Sequence, residues 1–137
     1  MPVSERKEIL MACAVHTLKA TAERIRQEMG HDPWSAVRDF RDGFFRADTL
    51  TRQHLMIEEP APTGDPRFDA YLAALAEHLA YDHGLDRPAW TCHPSRFLDR
   101  MWFPNERRDR WAAALVRSPA AFRRRSIFVD PREVLRC

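Results

Sequence analysis

Proline positions constrain the fold of this chain more than any other feature. Proline suits the first position of a helix, because its missing N–H would have no partner there, and an Asp or Ser before it can accept hydrogen bonds from the first turn. Five prolines follow a residue that can cap in this way: Asp32-Pro33, Asp65-Pro66, His93-Pro94, Ser118-Pro119 and Asp130-Pro131. The Asp and Ser pairs are the better caps, and we predict a helix start at each pair.

Apolar residues recur at helical spacing in two long segments, which predicts the two main helices. Residues 4–29 carry a stripe at intervals of 4, 3, 4, 3 and 4, and residues 65–84 carry one at 4, 3 and 4. Gly30 and Gly84 follow these segments as the expected left-handed stops. The stripes are Met11, Val15, Leu18, Ala22, Ile25 and Met29, and Phe68, Leu72, Leu75 and Leu79. The first stripe predicts packing on the chain's own core, with a homodimer seam as the alternative.

Shorter segments complete a helical chain. The sequence predicts helices over 32–47 and 48–59, a short one from Pro94, a longer one from Pro104 to about Arg117, a helical turn from Pro119 and a last helix from Pro131. The segment "SIFV" is the one plausible strand, and a lone strand cannot form a sheet. We therefore predict an all-α fold, a single compact multi-helix domain with at most one short extended segment near residues 126–129.

The proline-rich segment 59–66 marks the main internal boundary. We predict an amino-terminal helical region over residues 1–58 and a main helical body over 59–137, together forming one domain. A chain of 137 residues that is 45% hydrophobic can bury a core. It has no apolar run near the ~20 residues that cross a bilayer, and its amino end is charged. We therefore expect a cytoplasmic protein without a membrane partner.

The sequence offers no familiar catalytic or metal-binding pattern. It lacks a GxSxG elbow and a glycine-rich phosphate loop. His78 and His83 lie five residues apart, which places them about 140° apart around a helix, unlike a pair of zinc ligands. Cys13, Cys92 and Cys137 are widely spaced and form no CxxC pair. The prediction is a protein that is not an enzyme and uses no cofactor, metal or disulfide framework.

Charge is distributed unevenly along the chain. Residues 1–84 hold 10 basic and 14 acidic groups (net −4), whereas residues 85–137 hold 12 and 6 (net +6). Six arginines lie within 19 residues near the carboxyl end, among aromatic side chains: Arg107, Arg108, Arg110, Arg123, Arg124 and Arg125. Such a cluster suits an acidic protein surface or nucleic-acid phosphates, and a solvated helix end is the simplest alternative.

An apolar anchor is the second candidate feature. "RFLDRMWFPNE", residues 96–106, places Trp102 and Phe103 beside two arginines, and Trp, Met and Arg are the residue types that anchor protein interfaces. Packing in the protein's own core is the alternative for the same residues. The sequence thus predicts a partner-binding or phosphate-binding site formed by Arg107, Arg108, Arg123, Arg124, Arg125, Trp102 and Phe103.

Several segments also resemble a known family. "DAYLAALAEHLA", "RFLDRMWFP" and "SPAAFRRRSIF" are similar to elements of a family of small uncharacterised helical proteins from actinobacteria and proteobacteria. The resemblance covers about residues 58–136. This chain departs from it at Met101, where the family tends to have proline, and at Ser126, which is often glycine. Members are often described beside toxin genes, which implies an antitoxin or accessory role.

These observations lead to one functional hypothesis with one alternative. We expect a protein-binding module, the antitoxin or accessory component of a bacterial toxin–antitoxin pair, which neutralises a cognate toxin by direct contact. The arginines would meet an acidic surface, and Trp102 and Phe103 would supply the apolar contact. The alternative is a DNA- or RNA-binding regulator that uses the same arginine-rich region.

Overall fold

The fold is all-helical, as the sequence predicts. The computed structural model describes residues 17–135 and, among these, the side chains of residues 17–133. This part of the chain forms seven α-helices: α1 (Leu18–Glu28), α2 (Trp34–Arg46), α3 (Thr49–Ile57), α4 (Pro66–Asp82), α5 (Trp111–Arg117), α6 (Ala120–Arg123) and α7 (Pro131–Leu135). Three 3-10 turns, Ala89–Cys92, Pro94–Arg96 and Arg108–Arg110, join them. Between residues 17 and 135, none of the helices has the length and apolarity that crossing a membrane requires.

The chain divides into two compact units after Thr63. The predicted boundary lies in the same proline-rich segment, and the prediction that both parts form one domain stays a prediction. In the first unit, α1 packs on α2 and α3. The described part of its stripe, Leu18, Ala22 and Ile25, is buried, so these side chains belong to the core of this chain. Met11 and Val15 lie outside the described residues.

The described part of the first predicted helix begins at Leu18. Thr17 has an extended backbone, and its side chain accepts a hydrogen bond from the Ala20 N–H, so it caps the amino end of α1. A continuous helix over 4–29 is therefore wrong at this residue. Gly30 has a positive φ of 99°, as expected for a left-handed stop. The predicted cap at Asp48 is confirmed, since its carboxylate accepts from the Thr51 N–H at the start of α3.

The second unit is organised around α4, which begins at the predicted Asp65 cap. Residues 70–80 are buried without interruption, so the helix shows no solvent-facing stripe over this length. It packs against α6 and against the first two 3-10 turns. After α4, Gly84 adopts a positive φ of 64°, and the Leu85 N–H returns to the Ala80 carbonyl, which closes the helix end.

The region between Pro94 and Arg117 is less helical than predicted. Pro94 begins a 3-10 turn instead of an α-helix, and the helix predicted from Pro104 begins only at Trp111, after a further 3-10 turn. The Asn105 side chain accepts from the Arg107 N–H, and the Asn105 carbonyl accepts from the Trp111 indole N–H. These bonds hold residues 105–107 in a turn that a continuous helix would exclude.

The predicted extended segment forms a single parallel bridge between Trp102 and Ile127. The Trp102 N–H donates to the Ser126 carbonyl at 2.8 Å, and the Phe128 N–H donates to the Trp102 carbonyl at 2.9 Å. Ser126 precedes the bridge with a φ of 63°, a left-handed conformation that favours glycine. Ser118 does not cap α6. Its hydroxyl donates to the Ile127 carbonyl and accepts from the Val129 N–H, so it fastens this segment.

Candidate functional site

Glu77, in the middle of α4, is one of two buried carboxylates among the described residues of the second unit, the other being Asp130. The Glu77 side chain is 8% exposed, and a buried carboxylate must be paired to remain charged. The partner is Arg125, whose side chain is completely buried and whose Nη1 donates to Glu77 Oε2 at 2.8 Å. This ion pair links α4 to the residues that follow α6.

Arg125 makes further contacts within the second unit. Its Nη1 also donates to the Ala121 carbonyl at 2.8 Å, its Nη2 donates to the Thr91 carbonyl at 2.7 Å, and its guanidinium lies 4.5 Å from the centre of the Phe97 ring. The expectation that Arg125 points outward to a partner is therefore wrong. Its hydrogen bonds are made inside the protein, where they join α4, α6 and the Ala89–Cys92 turn.

Two further arginines approach Glu77 from the solvent side. Arg87 Nη1 lies 3.1 Å and Arg124 Nη1 3.4 Å from Oε1 of Glu77, the oxygen that Arg125 leaves open. Both side chains are about half exposed, at 50% and 51%. Three guanidinium groups therefore share one carboxylate, and the two outer ones border water. We call the region around them the Glu77 cleft.

The Glu77 cleft is an open cavity of about 710 Å³. One side carries the charged groups just described, together with His78 and Asp82 on α4. The remaining lining is mostly apolar. It consists of Ala80, Tyr81, Leu85, Pro119, Ala120 and Ala121. A cavity of this size, with few polar groups and apolar walls, has the character of a small-molecule or peptide site.

Electrostatics keep Glu77 ionised and His78 neutral. Burial raises the pKa of Glu77, but the hydrogen bond and charge of Arg125, with Arg87 and Arg124, outweigh it and hold this pKa below its ordinary value. Burial lowers the pKa of His78, against the opposing charge of Asp82. His78 Nε2 lies 3.2 Å from an Asp82 oxygen but makes no hydrogen bond with any residue that the structure describes. Among the described residues, no group of His, Cys, Asp and Glu side chains could hold a metal ion.

A second arrangement brings together three of the predicted residues. The Phe103 ring is stacked between Trp111, 4.5 Å away, and Phe128, 5.5 Å away. Arg108 lies over the Trp111 ring, 5.5 Å from its centre, and Arg123 lies over the Phe128 ring, 5.8 Å from its centre. We call these five residues the arginine–aromatic ladder.

The two ends of the ladder are exposed, whereas its rings are half-buried. Arg123 is fixed in place because its Nη2 also donates to the Leu115 carbonyl at 2.7 Å, near the end of α5. A guanidinium at this position favourably meets the free carbonyls of a helix end. The ladder is thus a surface feature that carries an exposed arginine beside each of its outer rings.

The other predicted residues lie elsewhere. Trp102 packs edge-on against Phe68 and Tyr71 of α4, with Arg67 over its ring, so it belongs to a separate aromatic cluster. Arg107 is exposed and pairs with Asp109, two residues later. Arg124 belongs to the Glu77 cleft. The seven predicted residues therefore divide among several environments instead of forming one patch.

The sequence carries a signal for Glu77, which was not among the predicted site residues. Glu77 is the one acidic residue in the apolar run "AYLAALAEHLA", and a charge inside such a helix needs a buried partner of opposite charge. That signal points to Glu77 but does not identify Arg125 as its partner, because a pair 48 positions apart in the chain depends on the tertiary fold.

Comparison of the chain with protein-family models, with curated proteins and with solved structures finds no match. The family resemblance therefore stays a prediction.

Proposed function

We propose that this chain is a protein-binding module that contacts an acidic surface of its partner through the arginine–aromatic ladder. The observation that carries the proposal is the placement of Arg108 and Arg123, both exposed, at the two ends of three stacked rings. An arginine already laid against a ring loses less conformational freedom on binding than one that moves freely in water.

Charge supports an acidic partner. The ladder lies within residues 85–137, which carry a net charge of +6. Like charges across an interface are unfavourable, and a positive surface accelerates encounter with a negative one. The ladder combines this charge with Trp, Phe and Arg, which are enriched in protein interfaces. On the basis of the family resemblance, the proposal also includes the class of partner. The partner would be a toxin, and this chain would act as its antitoxin.

Ring packing favours a protein over a nucleic acid. Single-stranded nucleic acids gain affinity when bases stack on open aromatic faces. In the ladder, Phe103 is enclosed by two rings, and the outer rings face Arg108 and Arg123. Rings that already contact one another and two arginines are less available to stack on a base. Nucleic-acid binding is the alternative, and the following experiment distinguishes it from protein binding.

The experiment is affinity capture from a lysate of the source organism, with nuclease-treated and untreated samples compared. The tagged protein is tested beside the ladder variant Arg108→Glu/Arg123→Glu. The matched control is Arg26→Glu/Arg100→Glu, which makes the same change in net charge at two exposed positions outside the ladder. We expect a stoichiometric protein that survives nuclease, is retained by the control and is lost from the ladder variant.

Folding must be separated from binding, because Arg123 also closes the end of α5. Arg108→Glu alone leaves that hydrogen bond in place and should weaken capture without changing the circular dichroism spectrum. Capture of nucleic acid that nuclease removes would favour the regulator instead. Equal capture by the ladder variant and by the control would refute the ladder as the contact surface.

A further inference from the structure

We propose that the Glu77 cleft is a separate binding site, and that its ligand is a small monocarboxylate with an apolar body. This inference goes beyond partner binding at the ladder, because it concerns different residues and a different class of ligand. It rests on three features of the cleft: unused guanidinium donors, apolar walls and two carboxylates that select the charge of the ligand.

The unused donors belong to Arg87 and Arg124. Glu77 Oε1 accepts from Arg87 Nη1, and Nε and Nη2 of Arg87 meet no acceptor within the described part of the protein. Arg124 uses Nε for a long bond to the Ala120 carbonyl and Nη1 for Glu77, which leaves its Nη2 without a described acceptor. Both side chains are half exposed and line the cavity. A planar carboxylate is a natural partner for such guanidinium groups.

The walls favour an apolar body on the ligand. Beyond the charged groups, the cavity of about 710 Å³ is lined by alanines, Leu85, Pro119 and the ring of Tyr81. That volume lies within the usual range for small ligands, whose sites combine apolar walls with a few polar groups that fix orientation. An aromatic or branched aliphatic body would cover these walls while its carboxylate meets the arginines.

The acidic groups in the cleft favour one negative charge over two. Glu77 is ionised and lies beside both arginines, and the Asp82 carboxylate also lines the cavity. A phosphate dianion would double its repulsion by these carboxylates as well as its attraction to the arginines, and it has no apolar body to cover the walls. His78 is held neutral by burial, so it adds no positive charge to balance a dianion. A single carboxylate therefore fits the arrangement better than phosphate does.

The test uses 2-naphthylacetate as the probe and 2-naphthylacetamide, its neutral counterpart of nearly the same shape, as the comparison. Isothermal titration calorimetry on the full chain should give saturable binding of the acid with a Kd of about 1 mM or below. We expect the amide to bind at least tenfold more weakly. Arg87→Gln/Arg124→Gln should weaken binding of the acid at least tenfold, and Arg100→Gln, an exposed control, should leave it unchanged.

A second variant tests the cavity without altering its charge. Ala120 is exposed and lines the cleft, so Ala120→Phe should fill the space and abolish binding, whereas Ala112→Phe on α5 should not. Equal binding of acid and amide would overturn the proposal, as would displacement of the probe by inorganic phosphate at equal concentration. Absence of probe binding to the unaltered protein would also overturn it. None of these results depends on whether the ladder binds a partner.

Discussion

Arg125 and Glu77, 48 positions apart in the chain, form an ion pair with an N–O distance of 2.8 Å in which the arginine side chain is completely shielded from water. Burying a charge is costly, and removing one partner leaves the other unbalanced. The pair also joins α4 to the segment that follows α6. The stability of the second unit should therefore depend strongly on both residues.

The first prediction concerns this pair. Glu77→Gln leaves Arg125 buried without a counter-charge and should lower the free energy of unfolding by about 3 kcal/mol. Urea denaturation followed by circular dichroism measures the change. Asp109→Asn is the matched control, because its pair with Arg107 is exposed and is worth at most about 1 kcal/mol. Similar losses in the two variants would show that burial of the pair does not matter.

The second prediction concerns the backbone at Ser126, where φ is 63°. A left-handed conformation costs a residue with a side chain about 1–2 kcal/mol. Glycine avoids this cost, but its unfolded chain is more flexible, which offsets about 0.4–1 kcal/mol of the gain. Ser126→Gly should therefore stabilise the protein by roughly 0.5–1 kcal/mol, seen as a higher thermal midpoint. Ser126→Val should destabilise it. A lower midpoint for the glycine variant would contradict the proposed strain.

The third prediction concerns acid stability. Hydrogen bonds from the Arg132 side chain and backbone N–H lower the pKa of Asp130 to about 2. Because this pKa is depressed, the stabilisation is fully present above the unfolded value of about 4 and is lost as the pH falls through 2. Allowing for screening by water around Arg132, it amounts to about 1–2 kcal/mol.

Asp130→Asn tests this stabilisation. The unaltered protein should exceed the variant in free energy of unfolding at pH 6, and the difference should shrink as the pH is lowered from 4 to 2. Glu77 also loses stability in acid, but it does so in both proteins and cancels in the comparison. A difference that stays constant with pH would exclude ionisation of Asp130 as its cause.

The fourth prediction concerns the ladder. Phe103→Leu removes two ring contacts, each worth about 0.5–1.5 kcal/mol, and should lower the free energy of unfolding by about 1–3 kcal/mol. If the ladder is the contact surface, the same variant should weaken partner capture, because Trp111 and Phe128 no longer hold a fixed separation. Unchanged stability would mean that the stack contributes nothing beyond ordinary apolar contact.

Local signals made much of this fold predictable. Asp48, Asp65 and Asp130 each accept a hydrogen bond from a backbone N–H at the start of the next helix. The apolar intervals of α1 and α4 identify buried residues, since period and burial are tied in a helix. Ser118 shows the limit of such signals. Its sequence context is that of a cap, but its hydroxyl is used by Ile127 and Val129, which only the tertiary fold brings near.

The candidate site was less predictable, for a physical reason. The sequence shows where the arginines are but does not show which hydrogen-bond acceptor each of them contacts. Arg125 and Arg124 are neighbours in sequence, and one is buried while the other is half exposed. Phe103 and Phe128 are 25 positions apart, and nothing local to either predicts that their rings stack. Sequence reasoning thus placed in one patch residues that the structure divides among several environments.

The three consecutive arginines raise a question of register. Successive residues in a helical turn point about 100° apart, so Arg123 reaches the end of α5, Arg124 the Glu77 cleft and Arg125 the core. Because the side chains are identical, a shift of the turn by one residue would still place an arginine at two of these three positions. The neighbours forbid it, because Phe122 and Ile127 are both fully buried and a shift would carry each away from its place. The burial of Phe122 and Ile127 therefore determines which of the three arginines occupies each position.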